Sequence, residues 1–190
     1  FLHRRGCRRI DFLSVEPGFS YPNPRQAVWE RALKQYGCTG EVWDDRAVPP
    51  ETSIAHALSL TDRLVREGKL EGADAIFCTS VEAARGVIRS LADHGIRVPE
   101  ELAITGFGNL PLCEKLRPQL TTADQQAETI GRTAARLLLE RITGGETGPR
   151  REIRLPAQPV LRGSTGSRTV SLLHKPETAG ERKNILRASC

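Results

Sequence analysis

Short apolar runs alternate with helical periodicity through the first 165 residues, and no other feature narrows the possible folds as much. Arg9-Ile10-Asp11-Phe12-Leu13-Ser14-Val15 reads as a strand ended by Pro17-Gly18. Residues 25–36 read as a helix with Ala27, Val28, Ala32 and Leu33 on one face and Gly37 as its stop. Glu41-Val42-Trp43 is a brief strand candidate, and Ser53 is placed to cap a helix that runs to Glu67 and closes at Gly68. Residues 73–79 read as a buried strand. Ser80 then caps a helix carrying Ala84, Val87, Ile88 and Leu91, and residues 102–107 form the next strand. The most regular helical pattern runs from 126 to 142, with Ala127, Ile130, Ala134, Leu137 and Leu138 in register. A last strand over 152–161 contains Pro156 and Pro159, which places it at a sheet edge.

Strands that alternate with helices pair in parallel through helical crossovers, and such a sheet needs apolar cover on both faces. The expected fold is therefore α/β, with one mainly parallel sheet flanked by helices. In open sheets of this kind a ligand binds beyond the carboxyl ends of the strands. Here those ends are residues 16–24, 43–46, Ser80-Val81 and Gly108-Asn109. They offer donors, acceptors and one indole plane, Trp43, a set that suits a small polyhydroxylated ligand stacked on an aromatic ring. Arg25 opens the helix behind the first of these loops. Its guanidinium can fork onto a carboxylate or two hydroxyls, or merely pair with a surface carboxylate, and spacing does not choose between them.

Turnover finds little support. Cys78-Thr79-Ser80-Val81-Glu82 lacks the glycine-flanked serine of a hydrolase elbow. The four histidines, His3, His56, His94 and His174, fall on helix surfaces, near an end or in the tail, away from the strand ends where a base would act. Gly106-Phe107-Gly108-Asn109 lacks the third glycine of a dinucleotide turn. No cofactor or metal is expected, and the chain reads as a binder rather than an enzyme.

The net charge of +5 suggests a polyanion partner, but its distribution does not. Residues 150–190 hold nine Lys/Arg against three Asp/Glu, which leaves the body within one charge of neutrality. No apolar run approaches the ~20 residues of a membrane-spanning helix. Cys7, Cys38, Cys78, Cys113 and Cys190 form no CxxC pair and read as free thiols of a reducing cytoplasm. The chain contains no Met, so Phe1 reads as an internal residue or a cleavage product, and the chain as a fragment. Residues 167–190 lose all periodicity and are expected to be a disordered tail.

Several ordered motifs carry a family resemblance. Ala73-Asp74-Ala75-Ile76-Phe77-Cys78-Thr79-Ser80, Gly95-Ile96-Arg97-Val98-Pro99-Glu100-Glu101-Leu102-Ala103-Ile104-Thr105-Gly106-Phe107, Pro118-Gln119-Leu120-Thr121-Thr122, the run from Ile130 to Leu139, and Arg162-Gly163-Ser164-Thr165 together resemble the LacI/GalR family of bacterial transcriptional regulators. Arg5-Gly6-Cys7-Arg8-Arg9-Ile10 is similar to that family's Gly-His-Arg-Arg-Ile, with Cys7 in place of the His. The resemblance implies a two-lobed effector domain like the periplasmic sugar-binding proteins. On that template residues 1–119 belong to the second lobe, 120–147 cross a hinge and supply a helix to the first lobe, and 148–166 return. The helix-turn-helix headpiece that grips operator DNA is absent from this chain. A homodimer is implied, with the helix at 81–94 as a candidate part of its interface.

Carried over by position, Arg25 matches the effector-gripping Arg, Ser80 and Val81 stand at the family's Asn-Asp pair, and Gln125 matches a pocket Gln of some members. Gly108 and Asn109 replace Asp-Asp or Asp-Asn. Two carboxylates are lost while the Arg remains, which favours a sugar acid over a neutral sugar as effector. The Gly-Phe-Gly-Asn wording also resembles the gluconate-repressor subgroup. The implied function is that of a cytoplasmic, ligand-sensing part of a repressor. A periplasmic sugar-binding receptor of a transport system is the alternative, and an enzyme on a doubly wound sheet the more distant one.

Overall fold

The computed structural model describes residues 1–15, 24–44, 52–145, 148–149 and 151–166. The expected tail at 167–190 lies outside the described residues, as do residues 16–23 of the first strand-end loop and Asp45 and Arg46 of the second. Six strands form one sheet: β1 (Ile10–Ser14), β2 (Val42–Asp44), β3 (Ala75–Cys78), β4 (Ala103–Phe107), β5 (Thr121–Asp124) and β6 (Gln158–Val160). The spatial order is β2-β1-β3-β4-β5-β6, parallel throughout except for the antiparallel β5–β6 edge. The helices between them are α1 (Pro24–Tyr36), α2 (Ser53–Arg66), α3 (Val81–Asp93), the single turn α4 (Leu112–Lys115) and α5 (Ala127–Ile142).

Alternation along β1 divides the molecule. Leu13 and Val15 turn to one face and join Ile76, Ile104 and Leu120 under α2 and α3, where Ala57, Leu60, Leu64, Val87 and Leu91 complete the main core. The two helices touch most closely at Gly86, where an added Cβ would lie 2.8 Å from the Ala57 Cβ and collide with the Ile54 carbonyl oxygen. Ile10 and Phe12 turn to the other face. There Ile10, Ala75 and Ala103 form a smaller cluster with Leu2, Cys7, Leu33 and Cys38. Phe12 stacks between Trp29 and Phe77, with ring centroids 5.5 and 5.8 Å away.

Ser80 caps α3 as its sequence predicts, accepting a 3.1 Å bond from the Ala83 amide. The cap of α2 sits one residue earlier than expected: Thr52 Oγ1 accepts from the Ala55 amide at 3.2 Å, and Ser53 is the first helical residue. The last strand, at Gln158–Val160, is shorter than expected, and it does lie at the sheet edge, with Pro159 opposite Ala123. Thr121–Asp124, expected as a crossing segment, pairs directly with β4 and continues the sheet.

The motif Arg162-Gly163-Ser164-Thr165 has a visible role in the fold. Ser164 Oγ donates to the Ile104 carbonyl at 2.6 Å and accepts from the Thr121 amide at 2.8 Å, while Thr165 Oγ1 pairs with Thr121 Oγ1 at 2.8 Å. These buried bonds stitch the returning chain across β4 and β5. Cover of the two faces is unequal. α2 and α3 fill one, whereas on the other α1 buries only Trp29, whose Nε1 donates to the Ile10 carbonyl at 3.0 Å. α5 buries none of its residues.

Candidate functional site

Incomplete cover beside α1 leaves an open cavity of about 950 Å³. It is lined by the apolar Ile10, Phe77, Trp29 and Leu33 and by the polar Ser14, Asp44, Thr105, Thr122 and Gln125. Arg25, the second residue of α1, reaches across the strand ends so that its guanidinium carbon lies 4.2 Å from the centroid of the Phe107 ring. A planar cation over an aromatic face is held in orientation by the ring. Thr105 is 7% exposed, and its Oγ1 is buried with no hydrogen-bond partner among the described residues. A buried hydroxyl of this kind costs about 1–3 kcal/mol unless something bonds to it.

The residues singled out from sequence divide into two groups. Arg25 and Gln125 line the cavity together. Ser80, Val81, Asn109 and Trp43 are not part of its wall. Ser80 spends its oxygen on the α3 cap. Val81 is 1% exposed and belongs to the main core. The Asn109 amide is used at both ends: Nδ2 donates to Asp124 Oδ2 at 3.2 Å, and Oδ1 accepts from Arg162 Nη2 at 2.9 Å. Arg162 in turn pairs with Glu114 Oε1 at 3.1 Å and bonds the Leu120 carbonyl, so Asn109 sits in a bracket joining β4, α4, β5 and the returning chain.

Trp43 packs against the core under α2 and α3, and its Nε1 donates to Asp11 Oδ2 at 3.0 Å. Asp11 is fully buried. It also accepts from the Glu41 amide at 3.0 Å and from Arg9 through both Nε and Nη2 at 3.1 Å. This carboxylate ties β1 to the segment of residues 41–43 and holds the indole by its N–H.

Sequence reasoning missed Phe107 and Thr105. The signal was available: both sit at alternate positions of β4, in phase with Phe77 and Phe12 across the ladder. Among the described residues no group of three or more His, Cys, Asp or Glu could hold a metal ion, and no helix is long and apolar enough to cross a membrane.

Residues 1–165 match the family model for the periplasmic binding protein-like domain. The chain belongs to that family. Known proteins place it more narrowly. It is 36% identical over 172 residues to the NTD biosynthesis operon regulator NtdR of Bacillus subtilis strain 168, a match covering 86% of this chain and 49% of that protein. It is 36% identical over 158 residues to the HTH-type transcriptional repressor PurR of Haemophilus influenzae strain Rd, covering 82% of this chain and 45% of the repressor. A crystal structure of a LacI family transcriptional regulator from Arthrobacter sp. FB24, in complex with lactose, superposes with a TM-score of 0.73 at 30% identity, covering 86% of this chain and 59% of that one.

The chain is thus a periplasmic binding protein-like domain similar to LacI-family transcriptional regulators, and the relatives it matches are named as regulators. It spans about half the length of the curated relatives it matches.

Proposed function

We propose that this domain senses a small polyol carrying a carboxylate, a sugar acid, and that it does so for a LacI-family repressor of transcription. One observation carries the reading: Arg25 is braced on Phe107 at the mouth of a 950 Å³ cavity that also holds Gln125. An oriented guanidinium favours a carboxylate, which it grips with two parallel N–H···O bonds. The buried Thr105 hydroxyl and the Ser14 hydroxyl supply further polar contacts for an effector of this size, while the Thr122 hydroxyl already donates to the Gly108 carbonyl at 2.9 Å. Asp44, also in the lining, carries a like charge and would face the hydroxylated end of the ligand rather than its carboxylate. Ser80, Val81, Asn109 and Trp43 remain candidates for contact in a rearranged, ligand-bound state.

The signalling step is a shift of population between lobe arrangements, which effector binding biases only to the extent that it prefers one of them. Operator DNA would be held by a headpiece outside this chain, in the cytoplasm, and a homodimer would present two such headpieces to the two halves of an operator. The division into a second lobe at 1–119, a crossing and first-lobe helix at 120–147 and a return at 148–166 belongs to the same reading, as does a gluconate-type effector. The free side of α3 is charged, carrying Arg85, Arg89 and Asp93, so any pairing through it rests on ion pairs rather than apolar burial.

Titration calorimetry of the full-length protein against aldonates and the matching neutral hexoses tests the proposal. Aldonate binding is expected, and Arg25→Ala should weaken it by about 30-fold or more, since a charge-assisted bidentate contact is worth roughly 2–3 kcal/mol. Tight hexose binding with no aldonate response would overturn the sugar-acid reading and leave a neutral-sugar sensor.

A further inference from the structure

We propose that Cys7 and Cys38 form a redox pair, and that their oxidation to a disulfide ties the exit of α1 to the entrance of β1. The two thiols come from segments that run side by side. The Thr39 amide donates to the Arg8 carbonyl and the Ile10 amide to the Thr39 carbonyl, both at 2.8 Å, and Arg9 and Thr39 form a parallel bridge. The bridge sets Cys38 opposite Arg8, one residue from Cys7, and ladder spacing of about 4.8 Å combined with a rise of about 3.3 Å puts the two α-carbons roughly 6 Å apart, within the roughly 4.4–6.8 Å that a disulfide spans. Cys38 Sγ lies 3.8 Å from the Cys7 carbonyl oxygen, and both side chains pack against the same Ile10, Ala75 and Ala103 cluster.

Both are partly exposed, so a small oxidant reaches them. Cys78 is fully buried on the opposite face and Cys113 is buried beside α4, which leaves Cys7 and Cys38 as the accessible neighbours among the described residues.

The oxidant is a peroxide. The Cys38 thiolate attacks one peroxide oxygen, the O–O bond breaks, and Cys38 becomes a sulfenic acid as one water is formed. The Cys7 sulfur then attacks the Cys38 sulfur; the S–S bond forms, the S–O bond breaks, and the departing hydroxide takes the Cys7 proton as a second water. Two thiols lose two electrons and the peroxide gains them. Burial, with the nearby Asp74 charge, raises the Cys7 thiol above its ordinary value, which disfavours it as the thiolate that first meets the peroxide. The bond acts on a loosely seated element, because Trp29 is the one buried residue of α1.

The test treats the native full-length protein with hydrogen peroxide, blocks remaining thiols by alkylation in denaturant, and maps cross-linked peptides by mass spectrometry. A single Cys7–Cys38 cross-link, reversed by dithiothreitol, is expected, together with about tenfold slower amide exchange across residues 24–36. Cys7→Ser should leave Cys38 as a sulfenic acid that dimedone traps, with the far-ultraviolet dichroism of the unoxidised protein intact. Two results overturn the proposal. One is free alkylation of both thiols after peroxide treatment. The other is a spread of pairings in the native protein no different from that of the denatured chain.

Discussion

Asp11 shows how much one side chain can organise. A fully buried carboxylate is tolerable only when its lone pairs are filled, and here Arg9, the Glu41 amide and the Trp43 indole fill them. Asp11→Ala removes the hub and leaves the Glu41 amide and the indole N–H without it. Urea unfolding should show a loss of about 3–5 kcal/mol, and Trp43 fluorescence should shift to the red. Cys78 makes the opposite case, a small apolar group in all but name. Burial drives its thiol far above the ordinary value of 9.0, so it stays protonated in the folded chain.

The sign of the resulting pH effect follows directly. Above pH 9.0 the unfolded chain releases this proton and the folded chain does not, so stability falls as pH rises, by up to about 1.4 kcal/mol per unit from this group. Denaturant midpoints measured from pH 8 to pH 11 should drop, and Cys78→Ala should flatten the slope.

Among the elements, α3 and α1 stand at opposite ends of a scale of attachment. α3 buries eight of its residues and meets α2 across Gly86, where only a hydrogen fits. Gly86→Ala gains helix propensity, yet its methyl group must displace the α2 backbone. A net loss of about 1–3 kcal/mol is expected by thermal unfolding, against the gain of up to 1 kcal/mol that the same change brings in an open helix. α1 hangs on Trp29, its ring stacking and its bond to the Ile10 carbonyl. Trp29→Ala should therefore release the helix that carries Arg25 before it unfolds the sheet. The expected outcome is fast amide exchange over 24–36, with slow exchange kept in β3 and β4.

The helical pattern over 126–142 was plain in the sequence, and the helix is there. Its stripe of apolar residues lies bare, however, with Leu138 59% and Ile142 70% exposed.

At the scale of the whole molecule, two apolar surfaces lie open among the described residues: the α5 stripe and the cavity beside α1. A chain of this composition exposes scattered apolar residues without penalty, but contiguous patches drive association. The 190-residue chain alone should bind 1-anilinonaphthalene-8-sulfonate and self-associate as its concentration rises. Leu138→Lys with Ile142→Glu should reduce both without changing the helical dichroism. Light scattering and dye fluorescence on the two chains check this.

Fold class was legible for a simple reason: strand and helix periods differ, and their alternation leaves a parallel sheet as the economical way to bury the apolar faces. The site was less legible. Arg25 and Gln125 line the cavity, whereas Asn109 is drawn into a bracket by Arg162, 53 residues further along the chain.

What the amino-acid order settled alone is local: where strands and helices begin, that Ser80 caps α3, and that Pro156 and Pro159 keep the last strand at an edge. Those outcomes depend on dihedral preferences and on hydrogen bonds spanning a few residues. Tertiary structure decided which polar groups remain available for a ligand, because each hydrogen-bonding atom goes to the partner that packing brings near. Asp11 claimed the Trp43 indole, and Arg162 claimed Asn109. The same packing set Arg25 over Phe107, an aromatic ring 82 residues away that no local pattern ties to it.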